Sequence, residues 1–363
     1  MVQPKHFLIA CGGTGGHLSP GIAVAQELTA RGHWCKLLIS EKRVDQALCS
    51  AYPELEFIPL PGVGFSKKLS KLPRCFLAAF KNILQSFRLL RRTKADAVVG
   101  FGGFTNVGII LAAKFLRKPC FLHEANRIPG RAVRTLGRWA TTVYVPEIFQ
   151  NQQHLRMKVC GFPIRREFQK IEQTTAKQRL GFDPKKLLLV VVGGSQGARV
   201  LTQWAREHAE DFKKRDLQVL CLTGVRNNTE NAAETESVAS NPSIRFIPFC
   251  RQMHIVCSAA DLVIGRAGAG TIAELKICET PSILIPLPTS ADGHQRANAR
   301  AFEQQGGCVC LEQSDLQKLW GKMHELLSNK EKCEAIAERL RELHPEDATR
   351  KMVTDIERTL GVG

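Results

Sequence analysis

The sequence predicts an α/β protein of two Rossmann-like, doubly wound parallel domains, and three observations carry that prediction. His6-Phe7-Leu8-Ile9-Ala10 runs into Cys11-Gly12-Gly13-Thr14-Gly15-Gly16-His17 and then into the helical pattern of Ile22 to Leu28. The same order recurs half a chain later. There Leu187-Leu188-Leu189-Val190-Val191-Val192 runs into Gly193-Gly194-Ser195-Gln196-Gly197-Ala198-Arg199 and a second helical stretch. A buried strand, a glycine turn and a helix start make the opening unit of a doubly wound domain. Finally, 363 residues are too many for one comfortable core and suit two.

The remaining strands fit the same plan. Ala97-Val98-Val99 ends at Gly100-Phe101-Gly102-Gly103, and Cys120-Phe121-Leu122 ends at His123-Glu124. In the second half, Val219 to Leu222 precedes Thr223-Gly224, Leu262-Val263-Ile264 precedes Gly265-Arg266, and Ser282 to Ile285 leads into Pro286. Unbroken apolar runs of this length belong to strands buried on both faces. A turn at Gly161-Phe162-Pro163 marks the joint, which gives domains 1–162 and 163–342.

Composition narrows the class. Hydrophobic residues make up 44% and charged residues 23%, as in an ordinary folded globular protein. The thirteen cysteines contain no C-x-x-C pair, which predicts reduced thiols in the cytosol and no structural zinc. Neither a secretory signal nor an apolar run of about 18 residues is expected. The net charge of +17 is lopsided: residues 1–160 hold 23 Lys and Arg against 8 Asp and Glu, the rest 28 against 26. Nucleic acid, an anionic membrane and a phosphorylated substrate each explain such a basic half.

Glycines at a strand–helix turn let the backbone approach a phosphate, and the helix start offers N–H groups at its positive end. Neither glycine loop is a P-loop, because no Gly-Lys-Ser/Thr follows. Neither matches a nicotinamide fingerprint. A third candidate is Arg266-Ala267-Gly268-Ala269-Gly270-Thr271-Ile272-Ala273-Glu274. It reads either as a nucleotide site, with Glu274 on ribose hydroxyls, or as a capping box from Thr271 to Glu274. The fourth is Asp292-Gly293-His294-Gln295-Arg296-Ala297-Asn298, whose amides suit sugar hydroxyls or a solvated turn.

In order along the chain, Gly12 to His17, His123-Glu124-Ala125-Asn126 with Ile128-Pro129-Gly130, Gly193 to Arg199 and Arg266 to Glu274 closely resemble the MurG family of N-acetylglucosaminyltransferases. The resemblance implies a GT-B fold, with two Rossmann-like domains facing a central cleft and a C-terminal helix, about 343–363, packed back on the first. It implies inverting transfer of GlcNAc from UDP-GlcNAc to undecaprenyl-pyrophosphoryl-MurNAc-pentapeptide. On the family pattern, Arg266 flanks the uracil, the backbone near Cys250 reads its edge and Glu274 holds the ribose. Ser195, Gly270 and Thr271 take the diphosphate, with Thr14, Gly15, Gly16, Gln196, Gly268 and Ala269 also on the donor. Asn126, His294, Gln295 and Asn298 surround the GlcNAc, Arg165 contacts substrate, and Gly13, Gly102 and Gly103 face the acceptor. Ala125, Phe162, the run Phe104-Thr105-Asn106 and Arg251-Gln252 depart from the usual family residues.

Inverting transfer needs a base and a way to stabilise the departing UDP. His17, at a predicted helix start that disfavours imidazolium, is the leading base; hydrogen bonding to the acceptor is an equal alternative. Glu124 is the rival base, or else the organiser of its loop. Helix starts at Ser195 and Thr271 would bear the leaving charge with no metal and no cofactor. Between Phe57 and Ala95 no acidic residue occurs, while Lys67, Lys68, Lys71, Arg74, Lys81 and Arg88 lie there. Phe76, Phe80, Ile83, Phe87 and Leu90 form a helical stripe expected to pack as core. Leu77 and Leu84 lie off it, and with the basic residues and a second face at Arg131 and Arg134 they predict contact with anionic lipid. The expected site of action is the cytoplasmic face of the bacterial inner membrane, as a peripheral protein with other cell-wall enzymes as possible partners. A nucleic-acid binder and a UDP-GlcNAc 2-epimerase-like enzyme are the competing readings, although no nucleic-acid motif is present.

Overall fold

The computed structural model describes residues 3–13, 15–40, 48–60, 72–103, 105–149, 151, 154–194, 196–224, 244–343 and 347–362, with backbone alone at 72–79 and 105. The chain forms two compact units, residues 1–166 with 346–363, and residues 167–345.

Unit 1 contains β1 (His6–Ala10), α1 (Gly15–Ala30), β2 (Trp34–Ser40), β3 (Glu56–Leu60), α2 (Leu72–Arg92), β4 (Ala97–Gly100), α3 (Thr105–Phe115), β5 (Cys120–His123), α4 (Arg131–Leu136), β6 (Thr142–Val145) and β7 (Met157–Val159). Its seven strands run parallel in the order β3-β2-β1-β4-β5-β6-β7. Unit 2 contains α5 (Gln173–Arg179), β8 (Leu188–Val192), α6 (Arg199–Glu207), α7 (Ala209–Lys214), β9 (Gln218–Leu222), β10 (Ile244–Ile247), α8 (Met253–Ala259), β11 (Leu262–Gly265), α9 (Ala269–Cys278), β12 (Ser282–Leu284), α10 (His294–Gln304), β13 (Val309–Cys310), α11 (Leu319–Leu327) and α12 (Lys330–Glu342). Its six parallel strands lie in the order β10-β9-β8-β11-β12-β13.

Every residue of β4, β5, β6, β8, β9 and β11 is buried, as unbroken apolar runs demand when helices cover both faces of a sheet. The edge strands β3 and β7 are only partly buried. In each sheet the strand order reverses once, between β1 and β4 and between β8 and β11. Ligands bind doubly wound sheets at the carboxyl ends of such strands. The glycine loops leave from those ends.

The last helix, α13 (Ala348–Thr359), belongs to unit 1. Arg31 bridges Glu27 and Glu357, and buried His33 meets Glu357 at 3.0 Å. Tyr144 Oη donates to Asp355 at 2.9 Å. No helix among the described residues is long and apolar enough to cross a membrane.

One position of an expected core face is corrected. In α2, Leu90 is buried and Phe87 packs against the core as expected, but Phe80 is 64% exposed and off-stripe Leu84 41%, while Asn82, Ser86 and Leu89 are buried. The inward stripe begins with small polar residues because α3 comes close: a Cβ on Gly108 would sit 1.9 Å from Asn82 Oδ1. A phenylalanine does not fit that approach, so Phe80 turns outward beside exposed Lys81.

Candidate functional site

At the unit 1 switch point, backbone packing dictates glycine. A Cβ on Gly12 would lie 2.4 Å from Ser40 N, and Gly13 has φ +130°. Inside α1, Gly21 lets the helix close on Cys11, where a Cβ would come within 2.4 Å. Gly15 and Gly16 form the first turn of α1 and His17 follows them, so the loop delivers an imidazole beside the carboxyl end of β1. Opposite, the turn after β4 carries Gly102 and Gly103 at φ +96° and +78°. A Cβ on Gly102 would meet His17 Nε2 at 3.1 Å, so the ring rests directly on this turn. Gly13, Gly15, Gly16, His17, Gly102 and Gly103 are therefore brought together. Thr14 lies outside the described residues.

β5 supplies the next wall. His123 is 2% exposed, and its Nε2 lies 3.1 Å from the Gly161 carbonyl, which fixes that nitrogen as the N–H donor. Burial pushes its pKa down to about 4; the Gly161 carbonyl opposes the shift and His17 adds to it. Phe101 and Phe162 pack against the ring at centroid distances of 5.6 and 6.1 Å. The unusual Phe162 thus has a packing role.

Glu124 is buried, and N–H donors surround its carboxylate. Oε1 accepts from Asn126 N and Nδ2, both at 2.9 Å, and Oε2 accepts from Gly130 N at 2.6 Å. Of the two roles open to Glu124, this geometry favours organising the loop that carries Asn126. Arg165 is 6% exposed and donates through Nη1 to Tyr52 Oη at 2.7 Å.

Unit 2 repeats the plan with different chemistry. Gly193 abuts Ala198, where a Cβ would fall 2.0 Å from its nitrogen, and Gly194 and Gly197 have φ +79° and +75°. Gly224 packs on Gly197, and exposed Gln196 lies between the glycines. Ser195 lies outside the described residues. At the end of β11, α9 starts after the N-cap Gly268, which has no side chain to cap it. This overturns the capping-box alternative, since Thr271 falls within the first turn and not at the cap. The N–H groups of Ala269, Gly270 and Thr271 precede the first Ile272-to-Gly268 helical bond, so they have no intrahelical acceptor. A helix start of this kind suits an anion.

The neighbouring side chains brace this loop. Arg266 donates to Ile285 O at 3.1 Å, Pro286 O at 3.3 Å and Gln313 Oε1 at 2.7 Å. Asn298, 5% exposed, reaches Ala267 O at 3.4 Å from α10. Gln295 accepts from Leu287 N at 2.9 Å, and His294 Nδ1 bonds the Ala291 carbonyl at 2.7 Å. The first turn of α10 and the Arg266–Thr271 loop are one connected structure, with Glu274 half-buried further along α9. Cys250 is half-buried, and burial pushes its thiol pKa up. Sequence reasoning missed Tyr52, Asn106 and Gln313. Tyr52 and Gln313 bond arginines far away in sequence and Asn106 bonds the Gly102 carbonyl, contacts that no motif spacing encodes.

On the surface of unit 1, Lys81, Arg88, Arg131 and Arg134 are exposed. Phe115 is 72% exposed, and its ring lies 5.8 Å from that of Phe87. Lys67, Lys68 and Lys71 lie outside the described residues, as do the side chains of Arg74 and Leu77.

Comparison with known proteins gives the family. Residues 7–145 match the glycosyltransferase family 28 N-terminal domain, and residues 188–351 the family 28 C-terminal domain. The UDP-N-acetylglucosamine--N-acetylmuramyl-(pentapeptide) pyrophosphoryl-undecaprenol N-acetylglucosamine transferase of Opitutus terrae is 43% identical over 97% of this chain and 94% of its own. The crystal structure of Acinetobacter baumannii MurG superposes with a TM-score of 0.70 at 24% identity, covering 98% of this chain and 100% of that one. A UDP-N-acetylglucosamine 2-epimerase structure from Listeria monocytogenes also reaches 0.70, at 14% identity over 98% and 96% of the two chains. The epimerase likeness is one of fold alone, and the close sequence match does not favour that activity. With its two parallel sheets in the GT-B arrangement of strands, the chain belongs to the MurG family, the glycosyltransferase family 28 enzymes named as UDP-N-acetylglucosamine–N-acetylmuramyl-(pentapeptide) pyrophosphoryl-undecaprenol N-acetylglucosamine transferases.

Proposed function

We infer that this hexosyltransferase moves GlcNAc from UDP-GlcNAc to the C4 hydroxyl of the MurNAc in undecaprenyl-pyrophosphoryl-MurNAc-pentapeptide, a step of peptidoglycan synthesis. The observation that carries the reading is the match to a transferase so named over 97% of the chain. The start of α9 supports it, because an uncapped helix N-terminus after a glycine-rich turn receives a diphosphate without rearrangement.

In this reading the acceptor oxygen attacks C1 of GlcNAc as the bond to the UDP oxygen breaks, and configuration inverts. His17 takes the hydroxyl proton, and Glu124 holds the loop that presents Asn126. The N–H groups at Ser195 and at Ala269–Thr271 meet the charge developing on UDP, with no resident metal or cofactor required. Glu274 binds the ribose, while Arg266 and the Cys250 backbone frame the uracil. His294, Gln295 and Asn298 each bond a neighbouring backbone group, which fixes the polar edge that each presents to the sugar. Radiolabel from UDP-GlcNAc should enter a lipid-linked MurNAc acceptor, whereas UDP-GalNAc should not serve. Free sugar or an epimerised nucleotide as sole product would refute the reading.

The basic half faces lipid rather than nucleic acid in this reading. Phe80, Leu84 and Phe115 project from unit 1 among Lys81 and Arg88, the composition of an interfacial patch. Lys67, Lys68, Lys71, Arg74 and Leu77 extend it in sequence. The enzyme then works as a peripheral protein on the cytoplasmic face of the inner membrane, where its acceptor is anchored.

A further inference from the structure

Asn106 is the second residue of α3, and its side chain is 0% exposed. Its Nδ2 donates to the carbonyl oxygen of Gly102, at the opposite end of the turn that leaves β4. With that carbonyl held inward, Gly102 and Gly103 adopt φ of +96° and +78°, a conformation that glycine takes without penalty. The outer surface of the turn is where His17 rests. A Cβ on Gly103 would sit 3.4 Å from His17 Nδ1 and 2.9 Å from Gly12 O, and one on Gly102 would sit 3.1 Å from Nε2. One buried amide therefore fixes the surface beneath the imidazole.

The same amide is badly placed for stability. Its Oδ1 has no hydrogen-bond partner among the described residues, and it lies over Gly100, where a Cβ would come within 2.4 Å. A buried amide oxygen without a donor is a net cost to folding. Costs of this kind persist where a site needs the group.

We propose that Asn106 is a positioning residue for glycosyl transfer, holding the Gly102-Gly103 turn so that His17 is aimed at the acceptor hydroxyl. The proposal rests on the reading of His17 as the base. It makes the donated hydrogen bond functional and the orphan oxygen its by-product, so activity and stability respond in opposite directions when Asn106 is replaced.

Asn106→Leu removes both the donor and the orphan acceptor while keeping the branched shape. The expected result is an unchanged or raised melting temperature, a kcat lowered by about ten-fold or more, and an unchanged donor KM. The acid limb of kcat against pH should also move, which a merely structural role would not cause. Asn106→Ala adds no atom and serves if the leucine variant does not fold. His17→Ala separates the two ideas. If it loses activity while both Asn106 variants keep wild-type kcat and pH profile, the positioning role is wrong. A lowered melting temperature with kcat retained would overturn it as well. If His17→Ala keeps kcat, the base reading itself fails, and the proposal falls with it.

Discussion

Replacing Glu124 by glutamine decides between its two roles. The carboxylate accepts three N–H groups, two from Asn126 at 2.9 Å and one from Gly130 at 2.6 Å, in a buried setting. A glutamine offers one oxygen, enough for the Asn126 pair, and turns its own NH2 toward Gly130 N–H. One charge-assisted bond is lost and a donor then faces a donor, a combined cost of about 2–4 kcal/mol. In a unit of this size each kcal/mol moves the midpoint by about 2–4 °C, so a fall of about 4–16 °C is expected. Thermal unfolding followed by circular dichroism measures it, with kcat and donor KM determined well below the transition. Loosening the loop should lower kcat only moderately. An unchanged midpoint together with a loss of kcat by a factor of about 10² or more would refute the loop-organising role and make Glu124 the proton acceptor.

Other outcomes follow from the same geometry. Burial lowers the His123 pKa from 6.5 to about 4. The unfolded chain therefore takes up a proton before the folded one as the pH falls, and the stability held above pH 6.5 is lost between 6.5 and about 4, by about 3 kcal/mol. Urea unfolding across that window should show the loss, and His123→Gln should flatten it; an equally steep slope in the variant would assign the effect elsewhere. Tyr52→Phe removes the buried acceptor of Arg165 Nη1 and should cost about 1–3 kcal/mol in urea unfolding, whereas an unmoved midpoint would mean that the contact contributes nothing. Phe80→Glu with Leu84→Glu should weaken co-sedimentation with anionic vesicles by about ten-fold or more, without changing donor KM. Sedimentation equal to wild type would remove those residues from the lipid-binding face.

The sheets were legible because their central strands are uninterrupted apolar runs. β1, β4, β5, β8, β9, β11 and β12 all occur where such runs end in glycine or a polar turn. The strands β2, β3, β6, β10 and β13 escaped notice: β3, β10 and β13 are partly exposed edge strands with a mixed pattern, and β2 and β6 carry polar residues such as Lys36 and Thr142 within their runs. The glycine loops were legible for a different reason: Gly12 and Gly193 meet backbone where a Cβ would be, so substitution there is sterically barred. Helical periodicity misled at Phe80. It reports which residues share a face, but the closeness of α3 decided which face turned inward. Tyr52 and Gln313 were invisible, and Asn106 showed only as a departure from the family pattern, because a polar residue in a loop or first turn looks alike whether it is solvated or braces a buried group.

The return of α13 to unit 1 also bears on how the chain is made. Residues 167–345 form a contiguous unit, whereas unit 1 needs both its opening segment and residues 346–363. During synthesis unit 2 therefore has all of its sequence before unit 1 does, although unit 1 was begun first. Until Glu357 emerges, Arg31 and buried His33 lack the carboxylate that engages both in the finished fold, and Tyr144 waits in the same way for Asp355. The unit that carries His17 and the exposed Phe80 and Leu84 is thus the last to be completed.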